Sequence, residues 1–239
     1  MTAFLLAEGI LYAVILILEA NGPDRLVLRF ITVCLACLAA AVMLGLRRKK
    51  EQVFLLLAMV FTVAADVFLV LMDRFYELAV GIFTVAQCLH GIHIQIGSGR
   101  KIWPSVLARL GLTLAGLLAA ALLGQWSLLT AFGVIYAAEL LMNTVDSALA
   151  VRKDRRFLLS LIGFLLFIGC DLTVGLNGIG ENWGLSYETR VLCSDLTWVF
   201  YIPSQVLIVL SASDGPKLFT KKTNPCAGTA PAGEGNYAG

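Results

Sequence analysis

Apolar stretches of about twenty residues, separated by short polar clusters, run almost the length of the chain. They fall at Phe4–Leu18, Leu26–Leu46, Val53–Met72, Leu78–Ile96, Ser105–Gly124, Ser127–Ala148, Phe157–Leu176 and Val191–Ala212. A helix rises about 1.5 Å per residue, so about 20 apolar residues cross about 30 Å of hydrocarbon. The pattern predicts an all-α membrane protein, a bundle of eight transmembrane helices occupying residues 1–212. From Ser213 the sequence turns Gly-, Pro- and Ala-rich and loses its periodicity. Residues 213–239 therefore read as a disordered cytoplasmic tail. The first stretch is the shortest and carries Glu8. It lacks a basic n-region and a small-x-small cleavage site, so it reads as a span and not as a cleaved signal.

Composition agrees with the pattern. Of 239 residues, 59% are apolar and 14% charged, and mean hydropathy is +0.86. Soluble domains hold about 45–50% apolar and about 25% charged residues. A net charge of +2 gives no reason to expect nucleic acid as a partner. Five of the six cysteines lie in apolar runs, where a thiol packs as a small hydrophobe, and no disulfide is expected. Cys34-x-x-Cys37 has no second pair and reads as packing, not zinc or redox chemistry.

Charge also orients the spans. Thirteen basic residues fall on one side: Arg47, Arg48, Lys49, Lys50, Arg100, Lys101, Arg152, Lys153, Arg155, Arg156, Lys217, Lys221 and Lys222. The opposite loops hold Arg25, Arg74 and Arg190, while Arg29 and Arg109 sit inside spans. The positive-inside rule places both termini in the cytoplasm of a multi-pass protein of the cell membrane, and an even span count follows. The loop Asn177–Arg190, with Trp183 and Tyr187, is then the longest external segment.

Three carboxylates interrupt this apolar background. Asp66, Glu139 and Asp171 lie well within their spans, where a lipid-facing charge costs about 2.5–3.5 kcal/mol. They must face the bundle interior, a wet cavity or one another. Counting along spans of alternating direction brings Asp66 and Asp171 to similar depth in the outer half, with Arg29 and Asp195 at neighbouring levels. Two carboxyls in contrasting environments, one beside a guanidinium and one in apolar surroundings, are what acid/base chemistry requires. The alternative is a structural ion pair in which Arg29 neutralises an aspartate.

Other spans carry polar stripes. Tyr136, Glu139, Asn143 and Asp146 share one helix face, as do Ser194, Trp198, Tyr201 and Gln205, and span four offers Gln87, His90 and His93. These faces line a central cavity or supply interhelical hydrogen bonds, typically about 0.6 kcal/mol each. His90 and His93, spaced i, i+3, lack a HxxxH or HExxH setting and lie away from Asp66 and Asp171, so no metal is expected. No nucleotide-binding or nucleophile-elbow motif occurs. Gly111, Gly116 and Gly163 read as close-packing positions.

The ordered set of segments resembles the lysoplasmalogenase-like YhhN family of integral membrane proteins. Ala65-Asp66-Val67-Phe68-Leu69 resembles its small-Asp-x-x-Leu segment. Gly81, Phe83, Ala86-Gln87 and His90 resemble its span-four segment, and Tyr136 with Met142 its Tyr and Met in span six. Gly169-Cys170-Asp171-Leu172 resembles its Ser-Asp-x-x-Leu segment, and Tyr201-x-x-x-Gln205-x-Leu207-Ile208 its ending. The likeness covers about Arg29 to Ile208. Three positions depart: Gln87 stands where the family usually has His, Arg29-Phe30 where it has Lys-Pro, and Cys170 where it has Ser.

The resemblance implies hydrolysis of the vinyl ether bond of lysoplasmalogens to a fatty aldehyde and a glycerophospho-base, with Asp66 and Asp171 as the catalytic pair. Arg29 suits the substrate phosphate. Gln87, His90, Tyr136, Glu139, Asn143, Asp195, Tyr201 and Gln205 are the further substrate-binding candidates. The expected partners are a lysophospholipid and the bilayer; no cofactor is implied. The alternative function is a proton- or ion-coupled carrier using the same intramembrane carboxylates, since spans three and seven hint at a four-plus-four repeat. Against it, no span shows a Gly/Pro-broken centre, and only Pro203 interrupts one.

Overall fold

The computed structural model describes residues 2–17, 23–47, 49–72, 74–180 and 184–213, and these contain eight helices and no strand. They are α1 (Thr2–Ile17), α2 (Pro23–Arg47), α3 (Lys50–Asp66), α4 (Tyr76–Ser98), α5 (Ile102–Leu122), α6 (Leu128–Val151), α7 (Phe157–Gly180) and α8 (Tyr187–Ser211). Seven, α2 to α8, are long and apolar enough to cross a membrane. The helix α1, at 16 residues, spans only about 24 Å at 1.5 Å per residue. The tail beyond Ser213, Arg48 and Trp183 lie outside the described residues.

Contacts at the basic end show how the helices alternate. Arg156 at the start of α7 pairs with Glu51 at the start of α3 at 2.9 Å and donates to the Gly97 carbonyl at the end of α4. Lys153 after α6 donates to the Ser98 carbonyl, and Gln52 Nε2 donates to the Ala212 carbonyl after α8. Odd helices from α3 thus begin where even helices end. Lysine and arginine stems at such ends keep their charged heads in the polar boundary while covering apolar surface.

The tightest seam joins α7 to α8. Phe157, Phe164 and Phe167 of α7 are fully buried in one core cluster with Ile208 and Val209 of α8, Phe164 against His90 of α4 and Phe167 against Tyr201 of α8. A Cβ on Gly163 would lie 2.8 Å from Ile208 Cγ1 and 3.0 Å from the Ser204 carbonyl oxygen, so only glycine permits this crossing. Gly116 likewise lets α5 approach Val134 of α6. Gly111 has nothing within 4 Å of its would-be Cβ; it faces outward on α5 and is no packing glycine.

Two further expectations are corrected. Helix α7 continues to Gly180 and α8 begins at Tyr187, so both ends of the expected Asn177–Arg190 loop are helical. Ser186 marks the start of α8, its hydroxyl accepting from the Thr189 N–H at 3.2 Å. The third apolar run is not one regular helix: α3 stops at Asp66 and continues as a π-helical turn, Val67–Met72. The Arg74 N–H closes that turn on the Phe68 carbonyl. Phe75 then takes a left-handed φ of 58°, its ring edge-on to Phe68 at 6.3 Å between centroids.

Candidate active site

The π-helical turn places Asp66 at a point where the helix widens, and such turns recur at functional sites. Asp66 is buried, and its Oδ2 accepts a hydrogen bond from the Tyr201 hydroxyl of α8 at 2.7 Å. A second pair repeats the arrangement: the Tyr136 hydroxyl of α6 donates to Oδ2 of Asp171 on α7, also at 2.7 Å. Hydrogen bonds between hydroxyls and carboxylates are among the stronger neutral–ionic contacts, which is why they hold the acids in place inside hydrocarbon.

Aromatic rings join the two pairs. Tyr136 meets Phe83 of α4 at 6.1 Å between centroids, Phe83 meets Phe167 of α7 at 6.2 Å, and Phe167 meets Tyr201 at 5.5 Å. The Tyr136 hydroxyl and the Cys170 thiol each lie within electrostatic reach of both Asp66 and Asp171. Cys170, next to Asp171 in the chain, is buried.

The row of rings continues outward. Tyr201 meets Trp198 at 5.6 Å, and the Arg29 guanidinium lies 4.7 Å over the Trp198 ring. Arg29 also pairs with Asp195 at 3.6 Å. The four charged residues expected at this depth thus occupy one region, with Arg29 seated on Asp195 and Trp198. Trp198 was legible only as part of a polar stripe; its role as a platform for Arg29 was not. The spacing Trp198, Tyr201 was the available signal, since it puts both rings on one face of α8.

The remaining stripe residues separate. Tyr136 turns to Asp171, but Glu139, Asn143 and Asp146 turn to Arg109 of α5. Arg109 Nη1 pairs with Glu139, and Nη2 donates to Asn143 Oδ1 at 2.9 Å and Asp146 Oδ2 at 2.8 Å. Asn143 Nδ2 in turn donates to the side-chain oxygen of Gln87 at 2.9 Å. His90 is buried edge-on against Phe164 at 5.7 Å, and Gln205 is buried beside Ser204. His93 Nδ1 lies 2.8 Å from the Glu51 carbonyl oxygen. Among the described residues, no three His, Cys, Asp or Glu side chains are grouped to hold a metal ion.

The model of the YhhN family matches residues 25–212. The chain belongs to the YhhN family. The match takes in both phenol–carboxyl pairs, Arg29 and the Arg109 cluster, and leaves α1 outside it. No curated protein and no solved structure matches the chain.

Proposed function

We propose that this YhhN-family protein is a membrane-embedded hydrolase that cleaves the vinyl ether bond of lysoplasmalogen-type lysophospholipids. The observation that carries this reading is the pair of buried phenol–carboxyl units, Tyr201–Asp66 and Tyr136–Asp171, linked through Phe83 and Phe167. Vinyl ether hydrolysis asks for two carboxyl groups. One, protonated, delivers its proton to the distal vinyl carbon, and the ether carbon becomes an oxocarbenium ion. The other, ionised, takes a proton from water as the water oxygen attacks that cation. The resulting hemiacetal collapses to a fatty aldehyde and the glycerol hydroxyl of the glycerophospho-base. Two-carboxylate glycoside hydrolysis follows the same logic.

Each phenol engages Oδ2 and directs Oδ1 to the reacting proton. The aromatic walls exclude bulk water and accept the alkenyl chain, and their ring faces suit the cationic intermediate. Arg29, held over Trp198, is placed to bind the substrate phosphate. In the membrane, both termini are cytoplasmic, which puts the two aspartates in the half of the bundle nearer the opposite face.

The test is aldehyde release from a 1-alkenyl lysophospholipid by the purified protein in detergent. Activity abolished by Asp66→Asn and by Asp171→Asn supports the reading, and no aldehyde from well-folded wild-type protein refutes it. The π-helical break beside Asp66 favours one second reading, a coupled carrier, because a carrier needs an interrupted helix at its carboxylate. That reading requires gradient-dependent uptake into vesicles, which an enzyme does not show.

A further inference from the structure

A cavity whose lining includes neither Asp66 nor Asp171 lies on the α5 side of the bundle. Helix α5 packs chiefly on α6, leaving between α4 and α5 a groove of about 420 Å³, within the range of about 300–1,000 Å³ typical of small-molecule sites. Its walls are Ile92, Ile96, Ile102, Val106 and Leu110, and all five are only about half covered by the protein itself, so the groove opens sideways to lipid. Its floor is Arg109 with Glu139. Gly91 makes that floor possible: a Cβ there would lie 2.9 Å from Arg109 Nη2.

Charge narrows the occupant. Arg109 is bound by Glu139, Asp146, Asn143 and Ser105, and Asp146 is also met by Arg100. Two cations and two anions are already matched, so an ionic ligand would find no counter-charge on the floor. The unmet group is Gln95. It lines the groove and is 5% exposed, yet neither its amide nitrogen nor its amide oxygen has a partner. A primary amide both donates and accepts, and leaving one unpaired in hydrocarbon costs several kcal/mol.

We propose that the α4–α5 groove binds a single-chain amphiphile with an uncharged hydrogen-bonding head, such as a long-chain alcohol. The head pairs with the Gln95 amide, and the chain lies along Ile92, Ile96, Ile102 and Val106. The proposal stands independently of the reaction at Asp66 and Asp171. Cys88 stands exposed on the lip of the groove, beside Glu139, and serves as a reporter.

The probe is hexadecanol carrying a diazirine in mid-chain, irradiated with the purified full chain in detergent and mapped by peptide mass spectrometry. Crosslinks, assigned to single residues by fragmentation, are expected on Ile92, Ile96, Ile102, Val106 and Leu110, displaced by plain hexadecanol but not by hexadecane. Gln95→Leu lowers crosslinking about tenfold, the equivalent of one to two hydrogen bonds. Should that variant fail to fold, a second measurement needs no substitution: hexadecanol, and not hexadecane, slows maleimide labelling of Cys88. Equal labelling of the outward leucines Leu107, Leu114 and Leu118, displacement by the alkane, equal displacement by a charged lysophospholipid, or crosslinks between copies across α5 would each overturn the proposal.

Discussion

Arg109→Leu should destabilise the protein by about 3–5 kcal/mol, the cost of breaking a buried ion pair from one side. The magnitude follows from which partners remain. Asp146, 2% exposed in its side chain, keeps the Ser105 hydroxyl at 2.6 Å and Arg100 at 3.3 Å. Glu139, 12% exposed, loses its guanidinium, and Asn143 loses one donor but keeps Gln87. One stranded carboxylate, and not two, therefore sets the scale. The cost of an unpaired charge at the helix centre, about 2.5–3.5 kcal/mol for the stranded carboxylate, lies in the same range. Unfolding in mixed micelles titrated with SDS, followed by circular dichroism, measures the loss. The double substitution Arg109→Leu with Glu139→Gln removes the stranded charge and should recover most of it. A single variant within about 1 kcal/mol of wild type, or a double variant no better than the single one, would refute the reasoning, because pairing through Arg109 would then not be what holds α5 to α6.

Four other outcomes follow from the same geometry. Tyr136→Phe and Tyr201→Phe each remove one hydrogen bond to a carboxylate, worth about 1.5–3 kcal/mol; aldehyde release should fall about ten- to a hundredfold in kcat with little change in KM. Gly163→Val drives a side chain into Ile208 and the Ser204 carbonyl and should cost about 1–3 kcal/mol or more in SDS unfolding, whereas Gly111→Ala, with open space around it, should be neutral or gain about 0.5–1 kcal/mol. Trp198→Leu removes the ring beneath Arg29, an interaction of about 2 kcal/mol when desolvated, and should raise KM for a phosphate-bearing substrate while leaving kcat nearly unchanged. Ser127→Ala removes the cap on the Thr130 N–H and should cost about 1 kcal/mol, readable as a small fall in thermal midpoint.

Hydrophobic length alone located the seven long helices among the described residues, because a span must satisfy its own backbone hydrogen bonds and a helix of about 20 residues does so in lipid. Helix faces were legible for the same periodic reason: Glu139, Asn143 and Asp146 do share a face. What faces them was not. Periodicity fixes a direction around one axis but carries nothing about the neighbouring axis, so Arg109 stood in the sequence as an isolated intramembrane cation. The signal was present all the same, since an arginine inside one span and unpaired acids inside the next require each other. The π-helical turn after Asp66 left no trace, because Val67–Met72 has the apolar composition of a regular helix and neither Gly nor Pro. Nor did the left-handed Phe75, a conformation that usually announces itself through Gly or Asn.

The contrast between the two polar clusters bears on which acids react. Glu139 and Asp146 are tied to guanidinium groups, which donate hydrogen bonds and accept none. A proton arriving on either carboxylate would compete with the very contacts that hold it. Asp66 and Asp171 are tied to phenols, which both donate and accept. When such an acid gains or loses a proton, the phenol hydroxyl can rotate and the pair persists without rearranging the helices. Proton transfer therefore leaves the Tyr201–Asp66 and Tyr136–Asp171 units intact, while it dismantles the Arg109 cluster. For that reason we place the chemistry at the phenol-held pair beside the π-helical turn and assign the guanidinium-held pair to joining α5 and α6, although both sets of carboxylates are buried within the same bundle.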